Sequence, residues 1–366
     1  MSQSLYKDTL KFLSTHSKIP IQGHHQKRLS MLCLMICSTI KEKDCSLEGI
    51  SRPVEMAEKQ SESSIKQAKR WLSSKWTDWA SFFAPYIENL LHKIATQGEL
   101  ILVIDGSETG SGCVTLMLSV IWKGYALPIV WFTKEGKKGH FSEDVHMKLI
   151  TIAQNLITDL KCRVVLLGDG EFDGAKLRKQ CEMLGWEFVL RTSLDRKIDC
   201  GGEIAQMKDL GPQSNSEIAF VQNACQGHHA ILWQDKNFES PIPLLTNMEL
   251  GQMACAYYRK RFTIETLFKQ MKSAGFQIHK SKLKGAYQVA NLIIIVAFAF
   301  IFTFCLGLLL KKATKTTLQL FVRADRVDKM SPITIAQKCI RQNLSIALAF
   351  FSDFASKWDV FCSSSQ

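Results

Sequence analysis

The hydrophobic pattern divides the chain into a helical first part and a second part in which strands and helices alternate. Before residue 97, apolar residues recur three and four positions apart, the spacing of an amphipathic helix. Helices are predicted, in order, at residues 29–40, 46–50, 54–59, 61–72 and 79–94. Residues 1–29 are polar and basic, and this composition predicts a mobile arm.

From residue 99 onwards, continuous apolar runs of strand length replace the helical spacing. Strands are predicted at residues 100–104, 113–122, 125–133, 163–167 and 187–191. Helices are predicted at residues 144–160 and 175–184. Three meander strands followed by alternating helices and strands predict an α/β fold, a mixed sheet with helices on both faces.

Residues 195–247 interrupt this order. They are rich in Gly, Gln, Asn and Ser, and they predict short strands at 217–221 and 229–234 with a return strand at 244–246. We interpret the segment as a β-rich insertion. Trp233 lies within it among basic and polar neighbours, so either a base stacks on the ring or the ring belongs to the core of the insertion.

An uncharged apolar run covers residues 292–310 and is followed by two lysines. Its length fits a transmembrane helix. We expect a buried helix that covers the sheet instead, because the chain contains no second such run. The tail from residue 314 is predicted to be helical, with a basic first half.

Residues 257–272 predict one helix with an apolar face and a polar stripe. At 100° per residue, the side chains of the stripe fall within roughly 60° of one another. The stripe contains Tyr258, Arg261, Glu265 and Lys272. A carboxylate among cations suits a site that binds a metal and phosphates together. The alternative is an ordinary solvated face with an i,i+4 ion pair.

The net charge and the cysteines of the chain indicate the class of partner and the cellular compartment. The 366 residues carry a net charge of +12, which favours an anionic partner such as nucleic acid over a membrane surface. Twelve cysteines are present without a Cys-x-x-Cys pair or zinc-type spacing, so free thiols in a reducing cytoplasm fit best.

Two buried strands are each followed by an aspartate, Asp105 and Asp169. Sites in α/β sheets form where strands end, although such an aspartate is also a common turn residue or helix cap. Asp173 is an alternative to Asp169 as the site residue after the second strand. Glu108 and Glu171 are further acids near the ends of these two strands.

The helix predicted at 61–72 presents basic residues on the side opposite its apolar face. Lys66, Lys69 and Arg70 point outwards in this prediction. Short helices that end in a basic one are typical of a helix-turn-helix unit that enters a major groove. A small helical bundle with a solvated basic face is the equally good alternative.

The spacing Tyr258-x2-Arg261-x3-Glu265-x6-Lys272 resembles the Y-R-E-K signature of a large family of bacterial insertion-sequence DDE transposases, the insertion sequence family four type. Asp105 and Asp169 resemble the first two catalytic aspartates of that family, and the resemblance extends over about residues 30–350. It implies an RNase H-like core in which Asp105, Asp169 and Glu265 bind two Mg²⁺ (or Mn²⁺) ions per active site.

The same resemblance assigns DNA contacts to the stripe and its neighbours. Tyr258, Arg261 and Lys272 hold the DNA end in this interpretation, and Lys272 lies too far along the helix to reach the metals. Phe262 helps to place a flipped base, and Trp233 is the corresponding stacking partner.

The function implied is cut-and-paste transposition, in which the enzyme binds the terminal inverted repeats of its element, cleaves them and joins them to target DNA. The resemblance also implies a homodimer that works in the cytoplasm at the nucleoid and has no membrane partner. The alternatives are an inactive DNA-binding relic and a protein anchored to the membrane through residues 292–310. We predict five regions: an N-terminal helical DNA-binding domain at 1–96, the catalytic core at 97–194 and 248–312, the β-rich insertion at 195–247, and a C-terminal helical region at 313–366.

Overall fold

The computed structural model describes residues 2–52, 62–110, 112–136, 141–211, 217–272, 275–313, 315–342, 345–347 and 349. Its first part is helical: α1 Ser2–His16, α2 Gly23–Glu42, α3 Leu47–Ile50, α4 Glu62–Ser73, α5 Trp79–Phe82 and α6 Ala84–Ala95. The prediction of a mobile arm at residues 1–29 is wrong. Leu5, Phe12 and Leu13 of α1 are buried against the rest of the protein, and α2 begins at Gly23. The helix predicted at 54–59 lies outside the described residues.

A mixed sheet forms the centre of the molecule. Its first five strands and the two helices between them are β1 Glu99–Gly110, β2 Cys113–Trp122, β3 Tyr125–Glu135, α7 Glu143–Ile157, β4 Arg163–Gly168, α8 Ala175–Met183 and β5 Glu187–Arg191. Strands β1, β2 and β3 are antiparallel, whereas β4 and β5 run parallel to β1. The order β3-β2-β1-β4-β5 with flanking helices is that of an RNase H-like fold, so the predicted fold class is confirmed.

The turn between β2 and β3 shows why the meander is tight. Lys123 and Gly124 both have positive φ, at 48° and 76°, as a two-residue hairpin turn of type I′ requires. Glycine adopts this backbone without strain. The predicted turn therefore lies at the residues that the sequence indicated.

Five further strands follow: β6 Lys197–Asp199, β7 Ile204–Gln206, β8 Ile218–Cys225, β9 His228–Trp233 and β10 Ile242–Thr246. Strand β10 returns beside β5, and β9 and β8 continue outwards, which gives a sheet of eight strands. Strands β6 and β7 form a separate two-stranded sheet. Most of this β-rich segment thus extends the main sheet.

The remaining helices are α9 Gly251–Lys260, α10 Thr263–Met271, α11 Ala286–Lys312, α12 Lys315–Gln319 and α13 Pro332–Gln342. Helix α11 is apolar on every side because it packs on every side, against α2, α4, α13 and β3. Length and composition alone would allow it to cross a membrane, yet 89% of its most apolar window is buried inside the protein. This packing agrees with the prediction of a buried helix over the sheet.

Candidate active site

Strand pairing places Asp105 and Asp169 side by side. The parallel register of β1 with β4 ends at the pair Ile104 and Gly168, and the two aspartates are the next residue on each strand. The sequence predicted that the first strand ends at Asp105, but β1 continues to Gly110 through its pairing with β2. Asp105 therefore lies within β1, just beyond the parallel ladder.

A tight turn after β4 fixes Asp169. The Asp169 Oδ1 atom accepts a hydrogen bond of 2.9 Å from the Glu171 amide at the start of the 3-10 turn Gly170–Phe172. Gly168 allows this turn to fold back closely, since a Cβ atom there would lie 2.8 Å from Phe172 Cβ. Asp169 is thus both a turn cap and a site residue, and the two interpretations of it are compatible.

Glu265 reaches the aspartates through Arg261. The predicted single helix is in fact two helices, α9 and α10, and the amides of Arg261 and Ile264 bond to carbonyls three residues earlier between them. Arg261 Nη2 donates to Glu265 Oε1 at 2.6 Å, while Nη1 lies 3.6 Å from Asp105 Oδ2. One guanidinium therefore joins the first and third acids.

The charge on Asp105 is disfavoured in this position. Burial, and after it the neighbouring Asp169 carboxylate, raise the pKa of Asp105 to about 6, although Arg261 and the Gly106 amide oppose the shift. Burial opposes the charge of Arg261 as well, but Tyr258, Asp105 and Glu265 outweigh it and raise its pKa. The buried guanidinium is therefore a permanent counter-ion for these acids.

A cavity of about 910 Å³ opens beside the two aspartates. It is lined by acids and cations together, among them Asp105, Glu108, Asp169, Glu171, Arg191 and Lys272. Such a lining can hold a divalent cation at the carboxylates and phosphate oxygens at the cations.

Lys272 lies in the cavity rather than beyond it. Helix α10 ends at Met271, and Lys272 Nζ donates a hydrogen bond of 2.7 Å to Ser107 Oγ. The sequence placed Lys272 far from the acids along one continuous helix, but it lies in the same cavity as Asp105 and Asp169, because α10 ends at Met271. Burial lowers the pKa of Lys272, against the attraction of Glu108 and Asp105.

The other acids near the strand ends have separate roles. Asp173 accepts hydrogen bonds from Arg196 and Thr192, and it does not line the cavity. Glu171 lines the cavity but accepts a bond of 2.8 Å from the Phe141 amide. Asp173 is thus occupied elsewhere, and Asp169 is the acid that faces Asp105.

The aromatic residues predicted to contact DNA are more buried than expected. Tyr258 is 1% exposed, and its hydroxyl lies beside Arg261 with no well-aligned hydrogen bond in the described structure. Phe262 is half-buried, with Phe238 stacked at 5.4 Å and the Arg261 guanidinium 4.5 Å from its ring centre. These rings form the wall that holds Arg261 in place.

The sequence left two roles open for Trp233, base stacking or the core of the insertion, and the structure places the ring in the core. It is 1% exposed on β9, packs edge-on against Phe238, and carries Arg259 4.9 Å from its ring centre. Its assignment as a base-stacking residue is therefore corrected, since a base cannot reach the ring in this conformation.

Helix α4 presents its basic residues as predicted. Lys66, Lys69 and Arg70 are exposed, whereas Ala68, Trp71 and Leu72 are buried. Lys66 lies 3.3 Å from Glu62 in an exposed i,i+4 pair. The exposure agrees with both interpretations of this helix, and the assignment of these residues to DNA stays a prediction.

The donor set fits a hard divalent cation only in part. Asp105 and Asp169 supply adjacent carboxylates, the ligands that Mg²⁺ and Mn²⁺ prefer. Within the described ranges, however, no group of three His, Cys, Asp or Glu side chains is close enough to hold one ion. Glu265 is 55% exposed and pairs with Arg261, so a rotation of its side chain is required to complete the set.

Several contacts within the site have little sequence signal. Ser107 and Lys272 meet only in the folded chain, as do Glu171 and the Phe141 amide. Arg191 had a signal that could have found it, because it is the last residue of β5 and faces the same cavity.

Fold and site together define the class: an RNase H-like protein with paired acids just beyond the parallel pairing of β1 and β4. Residues 142–302 match the family model described as a transposase DDE domain, and this match supports a DDE transposase. Asp169 and Glu265 lie inside the matched stretch, whereas Asp105 precedes it and is placed by the strand register alone. No curated protein sequence matches the chain.

Solved structures with similarity to part of the chain include two endonuclease V proteins and an Argonaute. The complex of Ciona intestinalis endonuclease V with a 24mer DNA shares 10% identity over 50% of this chain and 96% of its own, with a TM-score of 0.29. The Argonaute of Aquifex aeolicus shares 13% identity over 53% and 28%, with a TM-score of 0.25. Human ENDOV shares 11% identity over 54% and 83%, with a TM-score of 0.23.

Proposed function

We propose that the protein is a bacterial insertion-sequence transposase of the Y-R-E-K type that cleaves and joins DNA at the terminal inverted repeats of its element. The observation that carries this proposal is the placement of Asp105 beside Asp169 at the mouth of a cavity that also contains two cations, with Glu265 linked to the same acids through Arg261.

In this proposal Asp105, Asp169 and Glu265 hold two Mg²⁺ or Mn²⁺ ions. Bound there, such ions would supply activation of a water or 3′-hydroxyl nucleophile and stabilisation of the leaving oxygen. Arg191 and Lys272 hold phosphate oxygens at the cavity, because both line it beside the acids. Glu265 turns from Arg261 towards the aspartates, and Arg261 stays beside Asp105 as its counter-ion.

The wider assignment follows from the same resemblance. The substrates are the inverted repeats and target DNA, a homodimer holds two ends together, and the protein works at the nucleoid in the cytoplasm. The five predicted regions, with a DNA-binding domain at 1–96, are part of this proposal.

Metal-dependent nicking of a supercoiled plasmid tests the catalytic assignment. We expect Glu265→Gln to abolish nicking and to leave DNA binding intact, because Gln keeps the size and a hydrogen bond to Arg261 but loses the anionic ligand. Asp144→Asn is the matched control, since this carboxylate is exposed on α7, and it should nick at the wild-type rate. Nicking by Glu265→Gln at the wild-type rate would remove Glu265 from the mechanism.

A second function is an inactive relic that occupies the repeats without cutting them. One observation favours it: the pairing of Glu265 with Arg261 keeps the three acids from forming a ready metal site in the described part of the chain. A wild-type protein that binds DNA but never nicks, with either metal, would support this alternative. Retention of the protein in lipid after an alkaline wash would instead support anchoring through α11.

A further inference from the structure

A second groove lies between the beginning of α2 and the end of α4, and it shares no lining residue with the catalytic cavity. Its volume is about 270 Å³. The lining residues that matter here are His24, Lys27, Arg28, Gln67, Arg70 and Trp71. The sequence singled out only Arg70 of these as a DNA contact.

The groove is basic. Three cations line it, and no acidic side chain lines it in the described ranges. The first turns of α2 contribute Lys27 and Arg28, and the N-cap residue Gln22 makes no side-chain capping bond to the amides there. Cations at the start of a long helix, where the helix dipole is positive, attract anions such as phosphate.

An exposed tryptophan stands beside this groove. Trp76 is 61% exposed, the largest exposure among the described tryptophans, although an apolar ring of this size is usually covered. The Lys75 ammonium lies 5.3 Å from its ring centre, and Arg28 lies 6.0 Å from it. Cations next to an open aromatic face are typical of surfaces on which a base or sugar packs.

The segment that carries Trp76 is fixed from below by the start of α11. The Tyr287 hydroxyl donates to the carbonyls of Ser74 and Thr77, each at 2.9 Å. Gln288 Nε2 donates to Ser73 Oγ at 2.6 Å. Three residues around Trp76, namely Ser73, Ser74 and Thr77, are thus bonded to α11, so the exposed ring is presented on a fixed support.

A hydrogen bond between α2 and α4 fixes the spacing of the two helices that form the groove. Trp71 Nε1 on α4 donates to the Arg28 carbonyl on α2 at 3.0 Å. Because the acceptor is a backbone atom, the side chain of Arg28 is left for a ligand. On α4 the groove uses Gln67 and Arg70, whereas Lys66 and Lys69 do not line it.

Helix α11 links the support of the groove to the strand that carries Asp105. Its first turn bonds to the segment around Trp76. A Cβ atom on Gly110, at the end of β1, would lie 3.0 Å from Val289 of the same helix.

We infer that this groove is a binding site for the backbone of duplex DNA: Lys27, Arg28 and Arg70 hold phosphates of one strand, and Trp76 packs against the adjoining sugar or base. This inference rests on the proposed function, which supplies DNA as the ligand, and adds a second contact outside the catalytic cavity. Charge complementarity selects the occupant, since the groove is cationic and a duplex presents a regular row of phosphates.

The test measures binding of a fluorescein-labelled 30-base-pair duplex of arbitrary sequence by anisotropy, in EDTA and at several salt concentrations. The full-length double variant Lys27→Ala/Arg28→Ala removes two groove charges. The matched control is Lys7→Ala/Lys11→Ala, which removes two exposed charges from α1. Thermal unfolding confirms that both variants fold.

We expect the groove variant to bind about tenfold more weakly at low salt and to reduce the slope of log K against log salt by about two, the release of two counterions. The α1 control should stay within about twofold of wild type. Trp76→Ala should weaken binding about fivefold without changing the salt slope, and Trp76→Phe should retain most of the affinity, because the contact is with a π-face.

Equal weakening by both double variants would overturn the inference, since net charge alone would then explain binding. A loss confined to a labelled single strand of the same length would overturn the assignment to duplex DNA. The two proposals fail separately: wild-type protein that never nicks plasmid but shows the predicted slopes leaves the groove standing, and nicking with unchanged binding by Lys27→Ala/Arg28→Ala removes the groove alone.

Discussion

At the scale of single residues, the Asp105 carboxylate interacts more strongly with neighbouring charges than its position in the sequence indicates. Its carboxylate is mostly buried, lies beside a second aspartate and is offset by a guanidinium that is itself 6% exposed. Removal of charges from water is costly unless partners replace the lost hydration. The site therefore stores destabilising electrostatic free energy that a bound cation can relieve.

Asp105→Asn should stabilise the metal-free protein at pH 8. The folded-state pKa of about 6 exceeds the unfolded value, so ionised Asp105 opposes folding above pH 6. Two pKa units correspond to about 3 kcal/mol as an upper value. The gain should shrink as the pH falls through 6 and vanish near about pH 4. Urea unfolding in EDTA at both ends of this range measures it, and a loss of stability at pH 8 would contradict the electrostatic account.

Arg261→Gln should destabilise the protein by about 3 kcal/mol, because it leaves the buried Asp105 without its counter-ion. Adding Asp105→Asn should restore about 1–3 kcal/mol of this loss, since the two side chains interact directly. Lys176→Gln, which removes an exposed charge from α8, is the control and should change stability by less than about 0.5 kcal/mol. Strict additivity of the Arg261 and Asp105 changes would show that the pair is not coupled.

Residue roles were only partly readable from the chain. Asp105 and Asp169 were predictable because each follows an apolar run, and the parallel register then sets them side by side. The ion pair between Arg261 and Asp105 was not predictable, since the spacing of residues in the sequence gives no distance between residues on different elements. The sequence around Trp233 would also fit a tryptophan that stacks on a base. Only the packing of its ring on β9, against Phe238, shows that it is buried.

At the scale of elements, the strands from β1 to β5 and the helices between them matched the apolar pattern closely. Apolar runs bounded by Gly and Asp leave few alternatives for a buried strand. The boundaries that failed are those set by neighbours: β1 continues beyond Asp105 because β2 pairs with it, and the helix from 257 divides at Arg261. Helix α1 was missed because it has few apolar residues, although Phe12 packs against Tyr86 of α6 and Phe302 of α11.

Helix α11 requires a small residue where α13 begins. A Cβ atom on Gly307 would lie 2.0 Å from the Pro332 carbonyl oxygen, and this backbone atom cannot move aside alone. Gly307→Ala should therefore destabilise the protein by about 1–3 kcal/mol through overpacking, despite the better helix propensity of alanine. Urea unfolding measures the loss.

Gly211→Ala is the control for this substitution, because the space around Gly211 is open. It should change stability by less than about 0.5 kcal/mol. If Gly307→Ala were as stable as wild type, α11 and α13 could not approach each other as described.

At the scale of the whole molecule, one sheet supports two separate basic surfaces. The catalytic cavity opens where β1 and β4 part, and the groove beside Trp76 rests on α2, α4 and the start of α11. A net charge of +12 gives the protein a general attraction for polyanions, and the cavity and the groove concentrate cations at two places in the described part of the chain. Helix α11 connects them physically, because it packs against both the sheet and the first helices.

The measurement that most directly tests the central claim is anomalous scattering from crystals of the full-length protein with Mn²⁺ and duplex DNA. We predict manganese bound between Asp105 and Asp169, with Glu265 turned away from Arg261 to complete the ligand set. Manganese bound only at other residues, with Glu265 still paired to Arg261, would contradict the claim that these three acids form the catalytic metal site.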